Sequence, residues 1–219
     1  MFSSRIYLQC AVVLLSIVLG CRPQVIRPAS EDVIMPLRVG NRWVAKTIDE
    51  SESHNYSGWN SNSVGWEEIQ ITNDTTIEGN QWFLTSERTM LAYTSDGIRG
   101  RGQALSPYDY TLRRPERVGD TARVDRYTRN DNGRAQQVVC FGIVEDLDTL
   151  ISVPAGLFRC YMVRTIVEPG LLRREAYVSD TEITTFYAWG IGKVEEVWIT
   201  GNPIGRRRFT WELVEFTVN

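Results

Sequence analysis

The chain of 219 residues is short of the side chains on which most enzymes depend. Its one histidine is His54, and its two lysines are Lys46 and Lys193. A Ser-His-Asp or Cys-His site needs a base beside its nucleophile. His54, in the polar run 54–63, reads as a solvated loop residue instead. Zinc needs three or four imidazole or thiolate ligands, and that set is missing. No Gly-rich loop sits between a strand and a helix to cradle a phosphate; Gly100-Arg101-Gly102 is not one. The acidic pieces Asp131-Asn132 and Asp146-Leu147-Asp148 lack the spaced oxygen ligands of a calcium loop and read as hairpin ends. The expectation is therefore no catalytic residues, no metal, no cofactor and no enzymatic activity.

Charge of one sign is also lacking. There are 24 basic and 27 acidic residues, a net charge of -3. That balance gives no electrostatic footprint for nucleic acid. No apolar run reaches the roughly 18 residues that span a bilayer as a helix. No window repeats apolar residues at helical spacing between two caps. Hydrophobic residues make up 42% and charged residues 23%, which excludes a disordered chain.

What is present begins at the amino terminus. Arg5 is followed by a mostly apolar run over 6–19, then Gly20-Cys21-Arg22-Pro23. The run fits the roughly 7–15-residue apolar core of a secretory signal. Val18-Leu19-Gly20-Cys21 resembles the lipobox of bacterial lipoproteins, with Val18 and Leu19 departing mildly from the usual pattern. That resemblance implies cleavage before Cys21, acylation of its sulfur, and a bilayer as partner. Two or more acyl chains anchor stably where one binds reversibly. Arg22, in place of the aspartate that retains many such proteins in the inner membrane, favours the outer membrane of the cell envelope. The expected organisation is a signal peptide at 1–20, a tether at 21–32 and one β-rich domain at 33–219. No protein or lipid ligand is named by the sequence.

The domain reads as a succession of strands at 42–49, 64–71, 81–93, 108–113, 122–127, 135–147, 150–153, 157–167, 172–178, 182–188, 193–200 and 206–218. Each is rich in β-branched and aromatic residues. Asp96-Gly97, Asn132-Gly133, Pro154-Ala155-Gly156, Pro169-Gly170, Gly190-Ile191-Gly192 and Gly201-Asn202-Pro203 punctuate them. Short turns between consecutive strands predict an all-β fold: an antiparallel meander curled into a barrel, half-barrel or sandwich, with little helix outside the signal peptide. In the last strand Phe209, Trp211 and Leu213 share one face while Val214, Phe216 and Val218 share the other. Strict alternation makes both faces apolar, so both are expected to be covered.

Cys140 and Cys160 stay in the mature chain, each in a strand-like segment. In an oxidising compartment they are candidates for a cross-strand disulfide, with two buried thiols as the alternative. Seven Trp and seven Phe suit a core or the lining of a hydrophobic-ligand cavity, for which Trp43, Trp82, Phe158 and Trp211 are the candidates. Carboxylates adjacent in sequence, Glu67-Glu68 and Glu195-Glu196, point to opposite faces of a strand and cannot act together. The arginine clusters at 113–114, 173–174 and 206–208 read as solvated strand ends, with anionic lipid or polysaccharide contact as the sharper alternative.

Three segments carry a resemblance over most of the mature chain. Met35-Pro36-Leu37-Arg38-Val39-Gly40-Asn41-Arg42-Trp43 resembles a "PLxVGNxW" opening. Ser152-Val153-Pro154-Ala155-Gly156-Leu157-Phe158-Arg159-Cys160-Tyr161 resembles "VPAGxFxCY", and Phe186-Tyr187-Ala188-Trp189-Gly190-Ile191-Gly192-Lys193-Val194 resembles "YYAxGVGxV". Together they are similar to a family of uncharacterised bacterial exported lipoproteins. The resemblance implies a curved antiparallel sheet and no assigned reaction. The leading expectation is a membrane-anchored structural or partner-binding domain; the alternative is a carrier of a lipid or other hydrophobic ligand.

Overall fold

A computed structural model describes residues 24–26, 33–53, 58–102, 109–131, 134–167, 180–202 and 205–219. Cys21, His54, the Asn132-Gly133 turn, the Pro169-Gly170 turn, Arg173-Arg174 and the strand expected at 172–178 lie outside them. Among the described residues there is no helix. The strands are β1 (Val25–Ile26), β2 (Arg42–Ser53), β3 (Asn60–Ile77), β4 (Asn80–Thr85), β5 (Thr89–Thr94), β6 (Gly97–Gly102) and β7 (Asp109–Arg113). They continue as β8 (Thr121–Asp131), β9 (Arg134–Val153), β10 (Gly156–Val167), β11 (Asp180–Ala188), β12 (Gly192–Asn202) and β13 (Gly205–Thr217).

From β2 to β13 each strand pairs antiparallel with the next, and β13 returns to β2. The meander therefore closes into a twelve-stranded barrel, the first of the three expected shapes. Closure removes the unpaired edges that an open sheet would expose. β1 adds to the start of β10, beyond the end of β11. Val25 and Ile26 pair in parallel with Leu157 and Phe158 of β10.

Bulges account for the two-faced apolar pattern. A register shift between Leu213 and Glu215 sets Leu213 opposite Ala45 and Phe216 opposite Trp43. One extra residue at Val214 thus turns Phe216 to the same side as Trp211 and Leu213. A second shift, between Cys160 and Met162 on β10, brings Phe158, Cys160, Tyr161 and Val163 all into the interior, each at most 1% exposed. One face is buried, and the second covered layer expected from strict alternation is not required.

Three further expectations are corrected. The run 81–93 is two strands, because Arg88 takes a positive φ of 62° in the turn after Thr85. β9 is continuous across Asp146-Leu147-Asp148, so this triplet marks the β9 bulge and not a hairpin end. Cys140 and Cys160 form no disulfide: Cys140 lies opposite Val167, whereas Cys160 lies opposite Thr149. That register separates them by several rungs of one hairpin, beyond the ~7 Å limit of Cα separation for a bridge.

Residues 33–41 cross one mouth of the barrel and close it. Val33 accepts from the Gly190 amide at 2.7 Å, on the β11–β12 side. Leu37 donates its amide to the Tyr93 hydroxyl of β5 at 2.6 Å. Gly40 donates to the Ile71 carbonyl of β3 at 2.9 Å. Ile34 and Leu37 are buried beneath the crossing, and Met35 seats against Gly192, whose φ of 100° favours glycine.

Candidate functional site

Above this plug the barrel interior holds a cavity of about 240 Å³. Its floor is Met35 and Gly192. Trp43, Ile69, Leu91, Leu112 and Trp211 supply apolar walls, while Thr85, Thr89, Tyr110 and Tyr187 supply polar tips. Four ionisable side chains complete the lining: Glu67 of β3, Glu87 of the β4–β5 turn, Arg123 of β8 and Lys193 of β12.

Of the four residues expected to line a hydrophobic cavity, Trp43 and Trp211 do so. Trp82 does not, because alternation in β4 buries Phe83 and Thr85 and leaves Trp82 on the outer face. Phe158 is interior but fills the core at another level, edge-on to Phe216 with ring centroids 5.9 Å apart. The interior is part packed core and part cavity.

The basic groups of the lining are held by buried acids. Arg123 Nε donates to Asp125 Oδ2 at 2.9 Å and its Nη1 to the Tyr187 hydroxyl at 2.8 Å. Lys193 Nζ donates to Glu196 Oε1 at 3.2 Å and stands 4.3 Å from the Trp211 ring centroid. Thr185 donates to the other Glu196 oxygen at 3.1 Å. Burial by itself would raise the Glu196 pKa; Lys193 and Arg123 more than offset it and hold the carboxyl below its ordinary value. Burial pushes the Tyr187 hydroxyl up to about 12, against the pull of Arg123.

The acids of the lining are placed differently. Glu67 and Glu87 line the cavity from separate elements, the first from β3 and the second from the β4–β5 turn. Partial burial, then the charge and hydrogen bond of Glu67, raise the Glu87 pKa, with Lys193 pulling the other way. Glu87 is exposed on its outer side, so the pair lies at the cavity's open rim. Glu68, next to Glu67, points outward to Arg42 at 2.9 Å, as strand alternation requires. The sequence sets aside neighbouring carboxylates, as the structure does, but gives no sign that Glu67 and Glu87 line one cavity. No local spacing links them; the Ser86–Arg88 turn brings Glu87 back to β3.

Trp211 is 2% exposed, and its Nε1 has no acceptor among the described residues. The Tyr161 hydroxyl is likewise buried and unpartnered among them. Tyr161 stacks on Tyr187 at 5.3 Å and tilts against Trp189 at 5.0 Å, below the cavity wall. The Cys160 thiol is buried, which pushes its pKa up to about 12 and leaves it a poor nucleophile. No group of three or more His, Cys, Asp or Glu able to hold a metal occurs among the described residues. The arginine clusters are largely neutralised at the surface: Arg113 by Asp96 at 3.2 Å, Arg207 by Asp49 and Arg208 by Glu50.

The class defined by this geometry is a closed twelve-stranded antiparallel barrel with a plugged end and a small polar-walled interior. No family model and no curated protein matches the chain. Two solved structures do. A protein from Bacteroides fragilis, described as exported with a YmcC-like fold, superimposes with a TM-score of 0.51 at 10% identity, over 84% of this chain and 98% of that one. A protein from Parabacteroides distasonis, described as a lipoprotein, gives a TM-score of 0.43 at 14% identity, again over 84% and 98%. The first of these likenesses shows a shared fold.

Proposed function

We propose that this chain is a lipid-anchored protein of the bacterial cell envelope, held through acylated Cys21 and favouring the outer membrane, whose barrel binds a small molecule in its interior without turning it over. The anchor rests on the apolar run at 6–19 ending in Gly20-Cys21. The exported protein from B. fragilis that shares the fold is in keeping with that location. The observation that carries the binding role is the cavity of about 240 Å³ walled by both apolar and ionisable side chains. Mixed lining of this kind is how small-molecule sites fix orientation.

The volume lies below the roughly 300–1,000 Å³ of pockets for drug-sized ligands. An acyl lipid exceeds it, which sets the lipid-carrier reading behind a small polar ligand. The anchor is tested by Cys21→Ala, which should abolish fatty-acid labelling and release the chain from membranes. The binding role is tested by purifying the chain natively and identifying what denaturation releases.

A further inference from the structure

The short strand β1 fixes which end of the barrel can meet a membrane. Val25 pairs with Leu157 and Ile26 with Phe158, in parallel. Those partners directly follow the β9–β10 turn, whose Ala155 amide reaches the Leu213 carbonyl of β13 at the plugged mouth. Parallel strands run in one direction, so the chain enters β1 from the plugged end, as β10 does. Cys21 stands three residues before Gln24. However extended, three residues span at most about 11 Å. The opposite mouth is farther away. From the Arg42–Gln70 rung to the Ser51–Asn60 rung, β2 covers ~30 Å along the strand, on the order of 20 Å along the axis of a tilted barrel. An acyl chain on Cys21 therefore holds the plugged end, and no other, close to its bilayer.

The same end presents apolar side chains to the outside. Val39, Ile77, Val118 and Leu150 are all exposed. Val39 lies in the crossing segment 33–41, Ile77 ends β3, Val118 lies between β7 and β8, and Leu150 lies on the β9 arm of the hairpin that carries β1. They come from four elements and gather at one end only because the meander closes. Exposed Val64 and Trp66 of β3 make another apolar patch. Five steps around the circuit separate β3 from β10, which puts that patch across the barrel from the anchor. Charge at the plugged end is mixed, with exposed Arg38 and Arg117 against exposed Glu78 and Glu116. Attraction to anionic lipid is therefore not what holds it; the tether and the apolar side chains are.

Resting on the lipid anchor proposed above, we propose that the plugged end is a membrane-contacting face. It sits against the headgroups of the bilayer that holds Cys21, with Val39, Ile77, Val118 and Leu150 at the lipid surface and the opposite mouth turned to water. The plug at 33–41 then separates the cavity from the lipid, and a guest enters from the aqueous side.

The test uses the acylated full chain in phosphatidylcholine vesicles whose headgroups carry a nitroxide quencher. Cys140 and Cys160 are buried, and acylation blocks Cys21, so one introduced cysteine alone takes a fluorophore. Val118→Cys marks the plugged end, and Ser61→Cys, exposed on β3 near the opposite mouth, marks the far end. The nitroxide should quench the fluorophore several-fold more at 118 than at 61. Ile77→Cys should rank with Val118→Cys, and it decides if that variant does not fold. Equal quenching at the two ends, or stronger quenching at 61, overturns the face; acylated chain that still floats with the vesicles leaves the anchor standing. Fluorophores at 118 that quench one another and ignore the nitroxide assign the face to a second copy of the chain and overturn it as well. A chain that carries no acyl mass and does not float overturns the anchor and the face together.

Discussion

Trp43 donates its indole N–H to the carbonyl oxygen of Ile191 at 2.7 Å, joining residues 148 positions apart. The contact ties the start of β2 to the β11–β12 turn, beside the plug formed by 33–41. Two of the three segments that resemble exported lipoproteins therefore meet in space. The third joins them at the same end, where the Ala155 amide donates to Leu213 at 3.0 Å. The three segments build the closed mouth of the barrel, with Trp43 also a cavity wall.

Trp43 is 3% exposed, so its removal opens a cavity and orphans the Ile191 carbonyl. Trp43→Ala should cost about 3–5 kcal/mol of stability. Denaturant unfolding of the wild-type and variant chains measures it. A loss below about 1 kcal/mol would mean the plugged end contributes little to the fold.

Arg123 sits between Asp125 and Glu196 with 19% side-chain exposure, each acid being 9% exposed. Arg123→Ala takes the nearest cation from Asp125 and leaves Glu196 with Lys193 alone, and should cost about 3–5 kcal/mol near neutral pH. The depressed Glu196 pKa gives stability that is present above the unfolded carboxylate pKa and lost as pH falls through the folded one. The deficit of the variant should therefore shrink in acid. Melting both chains across the pH range reads this directly, and a deficit that grows in acid contradicts it.

The raised pKa of Glu87 has the opposite sign. The folded state holds its proton more tightly than the unfolded state, so this group destabilises the fold as pH rises above the ordinary carboxylate range. Glu87→Gln should melt at or above the wild-type temperature at pH 7 and lose that advantage below about pH 4. A variant less stable than wild type at pH 7 would show that Glu87 is already satisfied.

Cys140 and Cys160 should both titrate as thiols in denaturant without added reductant, and neither should react while the chain is folded. Their burial at 6% and 1% exposure, and the raised Cys160 pKa, keep alkylating reagents out. Recovery of no thiol after unfolding would require a bridge and a different β9–β10 register.

Strand after strand was legible because β-branched and aromatic runs broke at turn residues, and short turns forced an antiparallel meander. β6 was not legible. Gly97, Gly100 and Gly102 make its sequence poor in strand formers. In the barrel, Gly100 is what lets the Tyr110 ring lie across the neighbouring strand; a methyl group there would overlap the ring. The bulges at Val214 and Tyr161 were also hidden. Period-two reading assigns faces by parity, and one inserted residue reverses the parity without any sequence mark. Trp43 and Trp211 were found as cavity residues by size and apolarity. Glu67 and Glu87 were not, because it is the bonds of Ser86 to the Gln70 and Glu68 carbonyls that fold the β4–β5 turn back onto β3, and no sequence spacing marks them. Trp82 was misjudged for the same reason that it was chosen: a large aromatic residue is as much at home on the outer face of a barrel as inside it.

Native mass spectrometry of chain extracted from membranes tests the lipid anchor and the bound guest at once. The expected result is a chain beginning at Cys21 with added acyl mass, together with a small adduct that disappears on denaturation. A chain without acyl mass, or an acylated chain whose native and denatured masses agree, would contradict it.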